Sequence, residues 1–520
     1  MGHIRPSCCN ICTPAVLRIR HIGTATAGGH MRLTTLLSHH LQSRQRRPAP
    51  HRCTAIRQVA NMTATKRKIP MSSAKPVKKA KVEVLDYHLT PSVKDADAET
   101  QWPAPKAAIK RAREIIVECA NSRKTTVIVP DKDADGLSAG AILRHTLLLL
   151  GLPKDSIHVH LLAKGNNVHS DHERSNIAAL SPSYIFLVDL GSRAAPPIIP
   201  TEHVGLVIDH HHATEQDFPQ NSEHITACHS PPVATSSLLT YHLCEALHSE
   251  VASKCDWLCI VGTHGDLGNT LKWEHPFPDM RATFNKYTKK TLNDVVSLVN
   301  APRRTATYDV KSAWDSLAET AEPASVLRSH RLLAARAEVN AEVERCTHTA
   351  PQFSPDGKIA VFKIASESQV HPVIATRWSG HLQSKALEIV LCANSGYIPG
   401  KVNFSCRVPR CARGRDPPVD IIQSLRAYAS LPDPSLQQDG QDTTTAETLP
   451  LLERLGDDFA RGHVQASGGI VSSHQFDELM RIMQIGVKRP KDKDSGPSQP
   501  KQKQIDPGQK NTLATYFNKS

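Results

Sequence analysis

The first 82 residues contain no Asp or Glu at all, against 16 Lys and Arg. Aromatic residues make up only 4% of the whole chain. Where acids and aromatics are both missing and Arg, Ser, Thr, His and Pro dominate, too little apolar surface exists to offset the entropy of ordering the chain, so 1–103 is expected to be a disordered basic region. No stretch approaches the roughly 18 consecutive apolar residues that a spanning helix needs, which argues against a membrane-crossing segment. The 13 cysteines are scattered, and Cys9–Cys12 is one CxxC pair beside Cys8 with no matching pair downstream. That pattern excludes a disulfide framework and a paired-CxxC zinc site, and fits a reducing, intracellular compartment.

Charge is unevenly placed. The formal +13 comes from the two ends: residues 488–520 hold 8 basic and 3 acidic residues, and the body between the ends holds 39 basic against 47 acidic. A basic surface for polyanions, if the body has one, must be a local concentration on an acidic unit. The acid-free start resembles a mitochondrial transit peptide. Lys66-Arg67-Lys68 followed by Lys75 to Lys81 resembles a bipartite nuclear import signal, and Met62 and Met71 flank its first half as alternative starts. Nuclear location is the expectation, with the mitochondrion as the alternative.

The body alternates strands and helices. Strands are expected at Thr125–Val129, Ile157–Leu162, Tyr184–Val188 and Val204–Ile208, and helices at Thr235–Leu247 and Ala252–Ile260. Strands separated by helices imply right-handed crossovers and a parallel sheet. An Arg-rich helical stretch near Pro323–Cys346 reads as a connector. A second unit follows, with strands Ile359–Ile364, Ala386–Cys392 and Lys401–Arg407 and helices near Val419–Ser430, Leu449–Ala460 and Phe476–Ile485. From Lys488 the chain turns to Lys, Pro, Gln and Ser, the composition of a flexible tail.

The chemistry concentrates at strand ends. The β-branched run Thr125–Val129 stops in Asp131, Asp133 and Asp135, with Gly136 expected to turn the chain into a helix. Carboxylates this close repel one another, so a cation must sit among them or some must take up protons. The spacing also matches the start of an EF-hand loop, but the twelfth position is Ile142 rather than Glu and a strand precedes it, so that reading fails. A solvated Asp-Gly turn is the plainer alternative. Further signals weigh against it: a strand ends in Asp189, another in Asp209-His210-His211-His212, and Gly262-Thr-His-Gly-Asp266-Leu-Gly268 reads as a glycine-framed loop presenting Asp266. Carboxylates with imidazole suit Mn²⁺, whereas Mg²⁺ prefers nearly all-oxygen sites.

Asp133-x-Asp135-Gly136, Asp189, Asp209-His210-His211 and Asp266 together resemble the four motifs of the DHH phosphoesterase superfamily, which includes RecJ exonucleases, nano-RNase and pAp phosphatase enzymes, and family II pyrophosphatases. The resemblance implies a metal site of two ions, Mn²⁺ or Mg²⁺. Asp133, Asp135, Asp189, His210 and Asp266 would be direct ligands, with Asp189 bridging, and Asp131 stands where RecJ-like members also carry Asp. Val129 stands where some relatives carry a His ligand. His211 would touch the scissile phosphate, and Asp209 would orient a His. In the second unit, Ser405-Cys-Arg407 resembles the Ser-x-Arg strand of DHHA1 domains. Gly462-His463-Val-Gln-Ala-Ser467-Gly468-Gly469 resembles their substrate loop, with Ser467 where Ala is usual.

The resemblance thus implies an α/β chain. A parallel-sheet DHH domain (104–322) would be joined by a helical connector (323–351) to a smaller α/β DHHA1 domain (352–487), between disordered basic termini. The expected activity is that of a metal-dependent phosphodiesterase, RecJ-like, releasing nucleotides 5′ to 3′ from single-stranded DNA. A nano-RNase or pAp-phosphatase type enzyme on short oligonucleotides, and a non-catalytic replication scaffold, are the alternatives. In the tail 488–520, Leu513 lies three positions before Tyr516-Phe517, as in the boxes that dock on the sliding clamp PCNA, though Lys510 replaces the usual Gln.

Overall fold

The computed structural model describes residues 91–94, 98, 100–434, 449–456 and 459–487. The import-signal-like stretch and the Leu513, Tyr516, Phe517 box lie outside the described residues.

After helix α1 (Lys106–Ser122) the chain builds a sheet from β1 (Thr126–Pro130), β2 (Ile157–Val159), β3 (Tyr184–Val188), β4 (Val204–Asp209) and β5 (Ser222–Thr226), all parallel, in the order β2-β1-β3-β4-β5. Alternation sorts the strands' apolar residues. Ile128, Phe186, Val188, Leu206 and Ile208 pack on one face with α1, α2 (Ala134–Leu149), α4 (Ser236–Glu245) and α5 (Glu250–Leu267). Val127, Val129, Ile185, Leu187 and Val207 pack on the other, with Ile177 of α3 (Asp171–Ala179). Strand order reverses direction between β1 and β3, and open parallel sheets place ligand sites beyond the strand ends at such a switch point. Asp131 follows β1 and Asp189 follows β3.

A helical run comes next: α6 (Arg281–Tyr287), α7 (Lys289–Val299), α8 (Val310–Ala318), α9 (Pro323–Leu327) and α10 (His330–Thr347). A second, mixed sheet follows, β10-β11-β9-β8-β7-β6 in spatial order. Its strands are β6 (Gln352–Phe353), β7 (Ile359–Ile364), β8 (Ile389–Ile398), β9 (Lys401–Arg407), β10 (Arg461–His463) and β11 (Ala466–Ser472). Helix α11 (His371–His381) covers one face, and α12 (Ile421–Ala429), α13 (Leu451–Arg454) and α14 (Ser473–Ile482) pack on the other. Polar ties hold the two sheets facing a common cleft. The Gln369 amide donates to Arg304 O at 2.8 Å, and Lys164 Nζ donates to Glu367 O at 2.9 Å while sitting 4.3 Å over the Tyr397 ring.

Several expected elements are corrected. Gly136 does not turn the chain: Asp133 caps α2, which begins at Ala134, so Asp135 and Gly136 lie in its first turn. Gly262 to Leu267 are the last part of α5 rather than a loop, and Gly268 ends the helix with φ +76°. Its glycine permits close packing: a Cβ on Gly262 would sit 2.4 Å from Ser237 Cβ, so only glycine lets α5 lie this near α4. Gly462–Gly469 is a hairpin of β10 and β11 rather than a loop. The Ala386–Cys392 strand begins and ends later, at Ile389–Ile398, the helix Leu449–Ala460 shrinks to α13, and β5 went unread because its alternation is weak. Among the described residues, no helix is long and apolar enough to cross a membrane.

Candidate metal centre

Every acidic side chain singled out in the first unit arrives at the same end of the first sheet. Asp131, Asp133 and Asp189 each offer an oxygen within 4.8 Å of the others. So do the ligand atoms of Asp135, His210 and Asp266, and those of Asp189, His210 and His211. Asp189 and His210 each belong to two of the three groups, so the cluster offers adjoining cation positions with shared donors.

Local structure explains how each side chain gets there. Asp133 Oδ1 caps α2 by accepting the amides of Asp135 and Gly136, at 3.1 and 3.4 Å, which turns its Oδ2 toward Arg303 Nη2 at 3.7 Å. Asp189 leaves β3 with φ +64°, a left-handed conformation uncommon for a residue with a Cβ and a frequent mark of functional sites. The Ser236 hydroxyl donates to Asp189 Oδ1 at 2.8 Å. The amides of Ser236 and Ser237, opening α4, donate to the two oxygens of Asp135 at 2.7 and 3.1 Å. A helix N-terminus therefore fixes Asp135. Asp209, the last residue of β4, accepts from the Ser192 hydroxyl at 2.6 Å, the His210 amide at 2.7 Å and His211 Nδ1 at 2.8 Å.

The electrostatics of the cluster is that of carboxylates crowded out of water. Burial, then the charge of Asp266, pushes Asp135 up to about 6, and burial with Asp135 and Asp133 raises Asp189 well above the carboxylate range. Asp209 goes the other way. Burial opposes its ionisation, but the His211 bond outweighs it and lowers Asp209 to about 2. Burial likewise works against a charged His211, yet Asp209 raises it to about 9. His210 Nε2 is buried and makes no hydrogen bond, although Asp266 Oδ2 lies 3.2 Å and Asp189 Oδ1 3.4 Å away. An imidazole nitrogen set between the carboxylates of Asp189 and Asp266, with Asp135 close by and both Asp135 and Asp189 held back from ionising, is the donor set a divalent transition-metal cation would complete. The residues fit the metal.

Two cavities flank this cluster. One, of about 470 Å³, is lined by Asp131, Asp189, Asp209 and His211 and extends to Arg461 and Gly462. The other, of about 480 Å³, is lined by Arg303, Arg304, Arg407, His371 and Asn403 and shares Arg461 and Gly462 with the first. Arg407 Nη1 donates to Ser405 Oγ at 2.8 Å, which fixes the pair on β9. Burial, then the neighbouring Arg303, lowers Arg304 to about 9, and burial with Arg407 and Arg304 lowers His371 to about 3. His371 Nδ1 and Asn403 Oδ1 are buried without partners. Arginines gathered with half of their surface withdrawn from water suit an anion as the acids suit a cation.

Sequence reasoning missed Arg303, Arg304, His371 and Asn403, since nothing local joins them; it also missed Ser236 and Ser237, whose signal was the Thr235-Ser-Ser helix cap. Gly462 and Gly468 both line the arginine cavity, and Gly468 also has a packing reason to be glycine. Paired with Ser405 across β9 and β11, Gly468 would set a Cβ 2.4 Å from Phe404 O. His463 pairs with Ala466 through the hairpin.

Residues 125–263 match the DHH family, N-terminal domain. Comparison with curated proteins gives no match. Among solved structures, the DHH domain of a member of the S1p family of ribosomal proteins aligns at TM-score 0.51 and 12% identity, covering 73% of this chain and 90% of that one. RecJ from Thermus thermophilus, in complex with Mn²⁺, aligns at TM-score 0.49 and 17% identity over 74% of this chain. The chain spans 55% of the length of that RecJ. A manganese-bound exonuclease RecJ aligns at TM-score 0.46 and 17% identity, over 72% of this chain and 93% of that one. Residues 125–263 are therefore a DHH-family N-terminal domain, and the chain carries the α/β fold of the DHH phosphoesterase superfamily.

Proposed function

We propose that this protein is a metal-dependent phosphodiesterase that uses two ions, Mn²⁺ or Mg²⁺, to cut single-stranded nucleic acid, removing nucleotides from the 5′ end of DNA in the manner of RecJ. One observation carries the reading: an acidic and imidazole cluster with shared donors, Asp135, Asp189 and His210 buried at its heart, lies against a pocket lined by half-buried arginines. A phosphodiester is the group that needs both. Bound cations would supply an activated water and neutralise charge on the phosphate. Asp131, Asp133 and Asp189 would hold one ion, and Asp135, His210 and Asp266 the other, with Asp189, which also groups with His210, available to share.

The chain's own residues do the rest. Asp209 fixes the His211 ring through Nδ1, leaving Nε2 to donate to a phosphate oxygen from the half-exposed side of the ring. Arg303, close to Asp133, and Arg407, steadied by Ser405, bind a further phosphate and so set which bond lies over the cluster. Nuclear location, from the basic stretches around Lys66 and Lys75, and docking on PCNA through Leu513, Tyr516 and Phe517 belong to the same proposal.

The test is hydrolysis, with Mn²⁺, of 5′-labelled and 3′-labelled single-stranded DNA and RNA of several lengths, with Asp133→Ala and His210→Ala as inactive controls. Early release of the 5′-terminal nucleotide from long DNA supports the reading. Activity confined to the shortest oligonucleotides assigns the short-substrate class instead. No hydrolysis by a folded protein would make it a scaffold.

A further inference from the structure

The two cavities beside the metal cluster differ in chemistry, and the difference assigns a part to each. The arginine cavity is suited to phosphate. The other has an apolar floor, with Leu162 and Val168 buried and Leu190 half-buried, and an amide and imidazole wall of Asn166, Asn167 and His169. His169 lines this cavity, and its Nε2 is buried without a hydrogen-bond partner. At about 470 Å³ the space lies within the range of about 300–1,000 Å³ typical of small-molecule sites.

The wall is held ready. The His169 amide donates to Asn167 Oδ1 at 3.0 Å, which leaves the Asn167 amide nitrogen for another acceptor. Asn166 is anchored through its amide nitrogen to Glu173 at 2.7 Å, and Glu173 also accepts from the Ala163 amide at 3.0 Å. Burial, then Arg193, Arg174 and Arg461, lowers His169 to about 4, so at neutral pH its ring is uncharged. A neutral imidazole adds no charge for a phosphate, but it pairs with the edge of a base and packs against a base's face.

We propose that this cavity is a nucleoside subsite, in which Asn167 and His169 read the edge of the base next to the scissile phosphate and Leu162, Val168 and Leu190 cover its face. The proposal rests on the phosphodiesterase reading for the position of that phosphate. It makes the substrate a base-bearing nucleotide chain rather than any phosphodiester, with the cations of this cavity, Lys132, Arg193 and Arg461, meeting the sugar-phosphate side.

The test is calorimetric binding of deoxyadenosine 5′-monophosphate and of deoxyribose 5-phosphate, its base-free counterpart, to the full chain. The expected result is a preference of tenfold or more for the nucleotide. His169→Ala should remove about tenfold of that preference, as losing one hydrogen bond to a buried group would, leave deoxyribose 5-phosphate binding unchanged, and be partly rescued by His169→Gln. Equal binding of the two ligands by the unaltered protein, no binding of either, or an equal loss for both in His169→Ala would overturn the subsite. Hydrolysis of bis(4-nitrophenyl) phosphate, which has no base, reports separately on the metal centre. Its absence would sink the phosphodiesterase reading while the binding comparison still decides the subsite.

Discussion

The acidic cluster of the first sheet and the arginine pocket of the second are opposite in charge and alike in cost. In the first, carboxylates are driven together beyond β1, β3 and β4 until Asp135 and Asp189 resist ionising. In the second, Arg303, Arg304 and Arg407 are gathered beside a His371 that cannot protonate at neutral pH. Each region by itself is a destabilising accumulation of like charge. Set side by side, with Arg303 reaching to 3.7 Å from Asp133, they would be complementary halves of the metal and phosphate site proposed above.

If the halves divide the work this way, substitutions should separate them. The largest effect is expected from Asp189→Asn. Losing the shared metal ligand should cost several kcal/mol of transition-state stabilisation, about 10³-fold in Mn²⁺-dependent kcat on single-stranded DNA, with the fold intact by circular dichroism. Arg407→Ala should act on the other half, raising KM by about 10–100-fold with a smaller change in kcat. Steady-state kinetics that instead showed a matched fall in kcat would erase the distinction. Asp209→Asn, which leaves the metal donors in place but loosens His211, is expected to lower activity by about 10–100-fold, the usual size of an effect on an orienting partner. The smallest effect is on stability alone. Gly262→Ala forces a methyl against Ser237 and should cost about 1–3 kcal/mol, read as a lower denaturation midpoint.

The two regions also differ in how far the sequence discloses them. The acidic half was legible residue by residue because strand geometry does the placing: a hydrophobic run fixes the strand, and the next residue must emerge at the sheet's end. Asp131, Asp189 and Asp209 follow from that alone. The arginine half was legible at Ser405, Arg407, Gly462 and Gly468, but not at its other arginines or at His371 and Asn403. Arg303 sits in a short turn after α7, His371 opens α11 and Asn403 lies within β9, so their meeting depends on how the helical run docks the second sheet. The glycines misled in both places. Gly262 and Gly468 read as loop signals, since glycine is a poor helix and strand former, but close packing against Ser237 and Phe404 overrides that preference.

The most direct test of the account is a crystal structure grown with Mn²⁺ and measured at an anomalous wavelength. Two anomalous peaks about 4 Å apart on either side of Asp189 are expected, the spacing of paired metal sites, with His210 bonded to one of them. A single peak away from Asp189, or none while the cluster stays folded, would contradict the claim that this acidic and imidazole centre is a two-ion site.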